Sequence, residues 1–215
     1  MSLRRPPRAA FPNPPRFGDN PRTGWIMSPE LEGIRTELEA VSRSAQRLCA
    51  GLDERQLSWR PQPGRWSLAE NLVHLNVANQ LYLTSIDQSI DDARRRGLVG
   101  SGPFRQDFVG RWFIRMVEPP FRIRTKAPQK IVPLLQGPAT ETLPQFLRCQ
   151  ERVVERLARA EGLDLSRARF VSPFASLLRM NLLSAFGVVT SHERRHLFQM
   201  EHIRRELAAA HVAGA

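Results

Sequence analysis

Two histidines in the stretch Ser191-His192-Glu193-Arg194-Arg195-His196-Leu197 are the residues here whose type and spacing best suit chemistry. At i and i+4 of a helix, His192 and His196 share a face, and both rings can reach one metal ion. The surrounding run, Ser172 to Leu207, has one internal Gly and one Pro near its start, so it reads as a helix. At about 100° per residue, His192 and His196 align with Leu178, Leu182, Ala185, Val189, Ile203 and Leu207, the stripe that faces a core. The charges of Glu193, Arg194, Arg195, Arg204 and Arg205 fall mostly elsewhere. Two imidazoles side by side in a core need partners, and one divalent cation serves both. The bland alternative is a pair of hydrogen-bonded core histidines, since the spacing also arises by chance. The pair reads H-E-x-x-H, the zinc-protease pattern with Glu as general base. Nothing else in the chain resembles a protease scaffold, and a third ligand must come from elsewhere.

The elements that must position this pair follow from periodicity and capping. Ser28-Pro29, with Glu30 and Glu32, is a helix start, and Leu31, Ile34, Leu38, Val41, Ala45 and Leu48 carry that helix to about Cys49. Gly51 ends it. The connector Leu52–Arg65 contains Trp59-Arg60-Pro61-Gln62-Pro63-Gly64, which excludes regular helix there. Ser67 and Glu70 form a capping box that opens a second helix, running to about Arg96 on the stripe Leu68, Leu72, Leu75, Tyr82 and Ile86. His74 lies at the flank of that stripe. By itself it is a surface or half-buried histidine; as a third ligand it would face the crevice between neighbouring helices.

Residues 97–140 are broken repeatedly by Gly and Pro, with a short helix expected over Phe108–Val117 carrying Trp112, Phe113 and Met116. Arg122, Arg124, Lys126 and Lys130 follow, either as the basic rim of a site or in a solvated insertion with an aromatic anchor. A third helix spans about Thr142 to Ala160 and stops at Gly162, and Ser172-Pro173 caps the fourth. Four principal helices predict an all-α, antiparallel four-helix bundle with a long insertion between the second and third helices.

With 215 residues and 41% apolar content, the chain suits one domain, placed at residues 28–211. No run of about 18 apolar residues predicts a membrane span. Residues 1–27, with six prolines and five arginines, read as a disordered arm without the apolar stretch of a secretory signal. The cysteines, Cys49 and Cys149, are isolated and read as small core residues, which fits a reducing cytoplasm. The net charge of +11 comes almost wholly from Arg, with Lys only at positions 126 and 130. Without a groove-reading motif or interleaved aromatics it does not point to nucleic acid, although it favours anionic ligands.

Gly64-Arg65-Trp66-Ser67 with Glu70 and His74-Leu75, followed by His192-x-x-x-His196-Leu197-x-Gln199, resembles the DinB-like superfamily, over about Ser28 to Leu207. The resemblance implies a four-helix bundle holding a divalent transition metal (Zn, Ni or Fe) through His74, His192 and His196. It gives Gln199 a structural or supporting role and leaves His202 and His211 as surface residues. Three neutral imidazoles leave a coordination position open for water or substrate, as in catalytic sites. The family's characterised members include S-transferases and isomerases that use low-molecular-weight thiols. The first reading is therefore a metal-dependent S-transferase acting on a small thiol and an electrophilic substrate, with segment 122–130 binding carboxylates. A metal-dependent hydrolase is the alternative, with Glu70 and Glu193 the nearest carboxylates in sequence but both expected to cap or face solvent. A metal-binding interaction module is the third, and the resemblance also allows a homodimer.

Overall fold

The computed structural model describes residues 27–119 and 128–213, with side chains through residue 210. The expected arm up to residue 26, and Arg122, Arg124 and Lys126 of the basic segment, lie outside the described residues. Within them the protein is all-α apart from one small hairpin.

Helix α1 spans Pro29–Cys49 with Pro at its start, and its buried residues Leu31, Ile34, Leu38, Val41 and Ala45 keep the expected spacing. The chain leaves it through Gly51 at φ +69°, a left-handed conformation that glycine adopts without steric cost. The connector then holds a short helix that its prolines argued against. This α2, Glu54–Ser58, fits before Pro61 because Asp53 and Gln56 close a capping box around it. Helix α3, Leu68–Arg95, starts on the Ser67–Glu70 capping box. Helix α4 is Phe108–Val117, capped by Asp107, and α5 is Thr142–Ala160.

The last helix departs from expectation. Helix α6 is Leu182–Ala213 and begins ten residues after Ser172. Ser172-Pro173 instead lies in the turn of a hairpin between β1, Arg169–Val171, and β2, Arg179–Asn181. Phe170 and Met180 pair across it with both side chains buried in the core. A pleated ribbon turns alternate side chains to one face, so Phe170 and Met180 enter the core together while Val171 stays exposed. Asn181, whose side-chain oxygen accepts from the Ser184 N–H, provides the cap that Ser172 was expected to give.

Helices α1 and α6 pack on each other, as do α3 and α5, and α3 also packs on α6 and α1 on α5. Two apolar clusters fix the directions. One joins Leu31–Leu38, Tyr82–Ala93, Cys149–Ala160 and Leu182–Val189; the other joins Val41–Cys49, Leu68–Leu75, Phe146 and Leu197–Ile203. The first halves of α1 and α6 therefore share an end with the second halves of α3 and α5. Helices α1 and α6 run antiparallel to α3 and α5. This explains the long segment 97–140: α3 and α5 run the same way, so the chain must return along the bundle before α5 can begin. Helix α4 sits on that return path and packs on α6. Phe113 and Ile114 face the core, while Phe108 and Trp112 are exposed, so Trp112 is not the anchor. Arg194 of α6 ties the path down, donating to Glu118 at 2.7 and 2.9 Å and pairing with Glu37 of α1.

Candidate metal centre

Between the two apolar clusters lies a polar level, and the three histidines occupy one side of it. His74, from the first half of α3, is buried at 2% exposure, contrary to the surface or half-buried position its flank location suggested. His196 is buried and His192 half-buried on α6. One ring nitrogen from each of the three lies within 4.8 Å of the other two. The Nε2 atoms of His74 and His192 are 3.2 Å apart.

Neighbours fix which nitrogen is free in two of the three rings. His74 Nδ1 donates to the Ile131 carbonyl at 2.6 Å, which leaves Nε2 unprotonated and facing His192. His196 Nδ1 donates to Asn71 Oδ1 at 2.9 Å, and the Asn71 amide is itself held by donating to the Ser67 carbonyl at 2.8 Å. Trp66 covers the rings, stacking on His196 at 5.8 Å and tilted against His74 at 4.8 Å. Capping residue Ser67 thus starts α3 and, one turn later, orients the residue that orients His196.

Burial holds all three imidazoles neutral. His74 is pushed below the usual histidine range by desolvation, and His192 is pushed down to about 3 by burial, with help from His74 and Arg195. His196 lies well below its usual value for the same reasons. Neutral imidazole is the ligating form. The 3.2 Å spacing of His74 and His192 also fits a metal, since two nitrogens about 2.0–2.1 Å from one tetrahedral zinc stand roughly 3.3 Å apart. His192 Nδ1 is buried without a partner among the described residues. Two lone pairs meeting at Nε2 repel unless a proton or a cation lies between them, and a cation also uses the third ring.

The other polar residues at this level were not foreseen. Glu193 is fully buried, against the expectation of a solvent-facing or capping carboxylate. It accepts from Asn79 Nδ2 at 2.7 Å and Gln150 Nε2 at 2.6 Å, and burial pushes its pKa up to about 7. A periodicity signal for these residues was present. Asn79 falls at stripe spacing between Leu75 and Tyr82, Gln150 between Phe146 and Val153, and Glu193 between Val189 and His196. Glu70 does cap α3, and its carboxylate is also bound by Arg60 of the Trp-Arg-Pro connector, with Nε at 2.8 Å from Oε2. Of the remaining candidates, Gln199 makes no hydrogen bond to the three histidines among the described residues, and His202 is half-buried with Nδ1 2.7 Å from the Phe198 carbonyl. The side chain of His211 lies outside the described residues.

Fold and site together define a helical bundle with a buried three-histidine cluster capable of holding a metal ion. A family model for the DinB superfamily matches residues 37–200, and the chain belongs to that superfamily. Among the curated proteins and the solved structures, nothing matches the chain.

Proposed function

We propose that this protein is a metal-dependent enzyme of the thiol S-transferase type, with a divalent transition metal held by His74, His192 and His196. The observation that carries the reading is the convergence of three imidazoles, each neutral, with the tautomers of His74 and His196 set by Ile131 and Asn71. An all-imidazole donor set suits zinc, nickel or iron and leaves a position for substrate. A cation bound there lowers the pKa of a coordinated thiol and stabilises its thiolate.

The chain's own residues prepare that step. Ile131 and Asn71 fix the ring orientations, and Trp66 keeps water from one side of the cluster. In the reaction the thiol proton leaves to solvent and a sulfur lone pair forms the new S–C bond. The electrophile's leaving group departs with its bonding electrons. Lys130 is exposed and adjacent to Ile131, whose carbonyl reaches His74, so a cationic side chain is available near the site for a co-substrate carboxylate. The hydrolase reading has less support, because both carboxylates near the histidines in sequence are engaged. Glu70 is held by Arg60 and the start of α3, and Glu193 by Asn79 and Gln150.

The test pairs elemental analysis with a conjugation assay. About one transition metal per chain is expected, lost in His74→Ala while the helical signal persists. Conjugation of a small thiol to an alkyl halide should stop on chelation and return with added metal. Full metal retention in the variant, or activity unchanged after complete metal removal, would overturn the proposal.

A further inference from the structure

On the opposite side of α3 from His74, the seam between α3 and α5 opens into a cavity of about 310 Å³. It is lined by Asn76 and Gln80 of α3 and by Gln145, Arg148, Cys149 and Arg152 of α5. Further along the same seam the two helices are joined by charge. Arg156 of α5 pairs with Asp87 of α3, and Arg159 pairs with Asp87 and Asp91. Two and three helical turns back from Asp87, α3 presents Gln80 and Asn76 where carboxylates would continue the pattern. Arg148 and Arg152 consequently make no ion pair and no side-chain hydrogen bond among the described residues.

Two exposed arginines alone would be a solvated helix face. Asn76 makes the difference. It is 7% exposed, it lines the cavity, and neither its amide nitrogen nor its amide oxygen has a partner among the described residues. A buried, unpaired amide costs roughly 1–3 kcal/mol unless something meets it. Gln80 and Gln145 add neutral donors beside it, and no acidic residue lines the cavity. Cys149 is buried there, and burial pushes its thiol pKa up to about 11, so it contributes no charge at neutral pH.

We infer that this cavity is a binding site for a small anion, a carboxylate or phosphate group, clamped by Arg148 and Arg152 and hydrogen-bonded at its floor by Asn76. Guanidinium groups recognise both anions through charge-assisted hydrogen bonds. The cavity volume suits a small organic acid or phosphate ester rather than a polymer. The site is separate from the three-histidine cluster and does not depend on the proposed chemistry.

Calorimetric titration of the full-length protein with inorganic phosphate and, separately, with succinate tests it. Saturable 1:1 binding of at least one anion is expected at low ionic strength, and which anion binds identifies the head group. Affinity should fall about tenfold or more in Arg148→Gln/Arg152→Gln, two surface changes that leave the fold intact. It should fall in Asn76→Ala as well, and stay unchanged in His74→Ala. No saturable binding of either anion, binding unaffected by the double arginine change, or binding lost only in His74→Ala would each overturn the inference.

Discussion

Asn71 shows how the cluster is set at the scale of single residues. Its side-chain oxygen receives the His196 Nδ1–H while its amide nitrogen is spent on the Ser67 carbonyl. That arrangement fixes the amide orientation and with it the free nitrogen of His196. Removing such an orienting partner typically costs 10–100-fold in metal affinity. Asn71→Ala should therefore weaken zinc binding by about that factor in a competitive chelator titration, with the circular dichroism spectrum retained. Unchanged affinity would mean that packing by Trp66 alone orients the ring. Glu193 belongs to the same scale. Its two amide donors hold it in place of a solvent shell, and its raised pKa reflects the burial they only partly offset.

At the scale of elements, the return path from α3 to α5 is held at its start by a tight junction around Asp107, beside the Arg194 pairs at its far side. Asp107 Oδ1 accepts from the Gly110 N–H at 2.8 Å, and Oδ2 accepts from the Asn181 N–H at 2.7 Å, just before α6. The Ser184 hydroxyl accepts from the Asp107 N–H at 3.1 Å. A Cβ on Gly110 would stand 2.1 Å from Ser184 Oγ, so α4 can seat on α6 only because that residue has no side chain. Gly110→Ala should destabilise the protein by roughly 1–3 kcal/mol in denaturant unfolding. Gly33→Ala gives the opposite sign. It lies on the exposed face of α1 with nothing within 4 Å of the added methyl, so a gain of about 0.5–1 kcal/mol is expected. Equal effects from the two changes would contradict the close α4–α6 contact.

For the whole molecule, the neutral histidines make stability depend on pH. Their folded pKa values lie below the ordinary 6.5, so the unfolded chain takes up protons first as pH falls below that value. Each such imidazole then removes up to ~1.4 kcal/mol of stability per pH unit. Glu193 acts in the other direction, because its folded pKa of about 7 lies above its ordinary 4.5, and its contribution is lost as pH rises through 7. Three groups outweigh one. Chelator-treated protein should lose stability in thermal melts as pH falls from about 7 to 5, and His74→Ala should show a shallower decline. A flat or rising profile would mean that the rings are charged in the folded state. Added metal should raise the melting temperature at pH 7, since an ion held by all three histidines would bind the folded arrangement alone. Among the described residues no helix is long and apolar enough to cross a membrane.

What the sequence determined by itself was local: the bounds of α1, α3 and α5 through the Pro29 start, the Ser67–Glu70 capping box, glycine stops and apolar spacing, and the shared face of His192 and His196. Those signals lie within a few residues of one another, so one chain segment carries them whole. The match of the Trp66–His74 and His192–Gln199 motifs to a family supplied His74 as the third member. Tertiary structure decided the rest. The burial of His74 depends on the Ile131 carbonyl, 57 residues away in sequence, and that of Glu193 on Asn79 and Gln150 from two other helices. Ser172-Pro173 carried a helix-start signal, yet the hairpin prevailed because it buries Phe170 and Met180. The direction of α5, and hence the length of segment 97–140, follows from which halves of the helices share an apolar cluster. A pairing energy between distant segments leaves no mark in either segment alone, and it is that energy which brings the three histidines together.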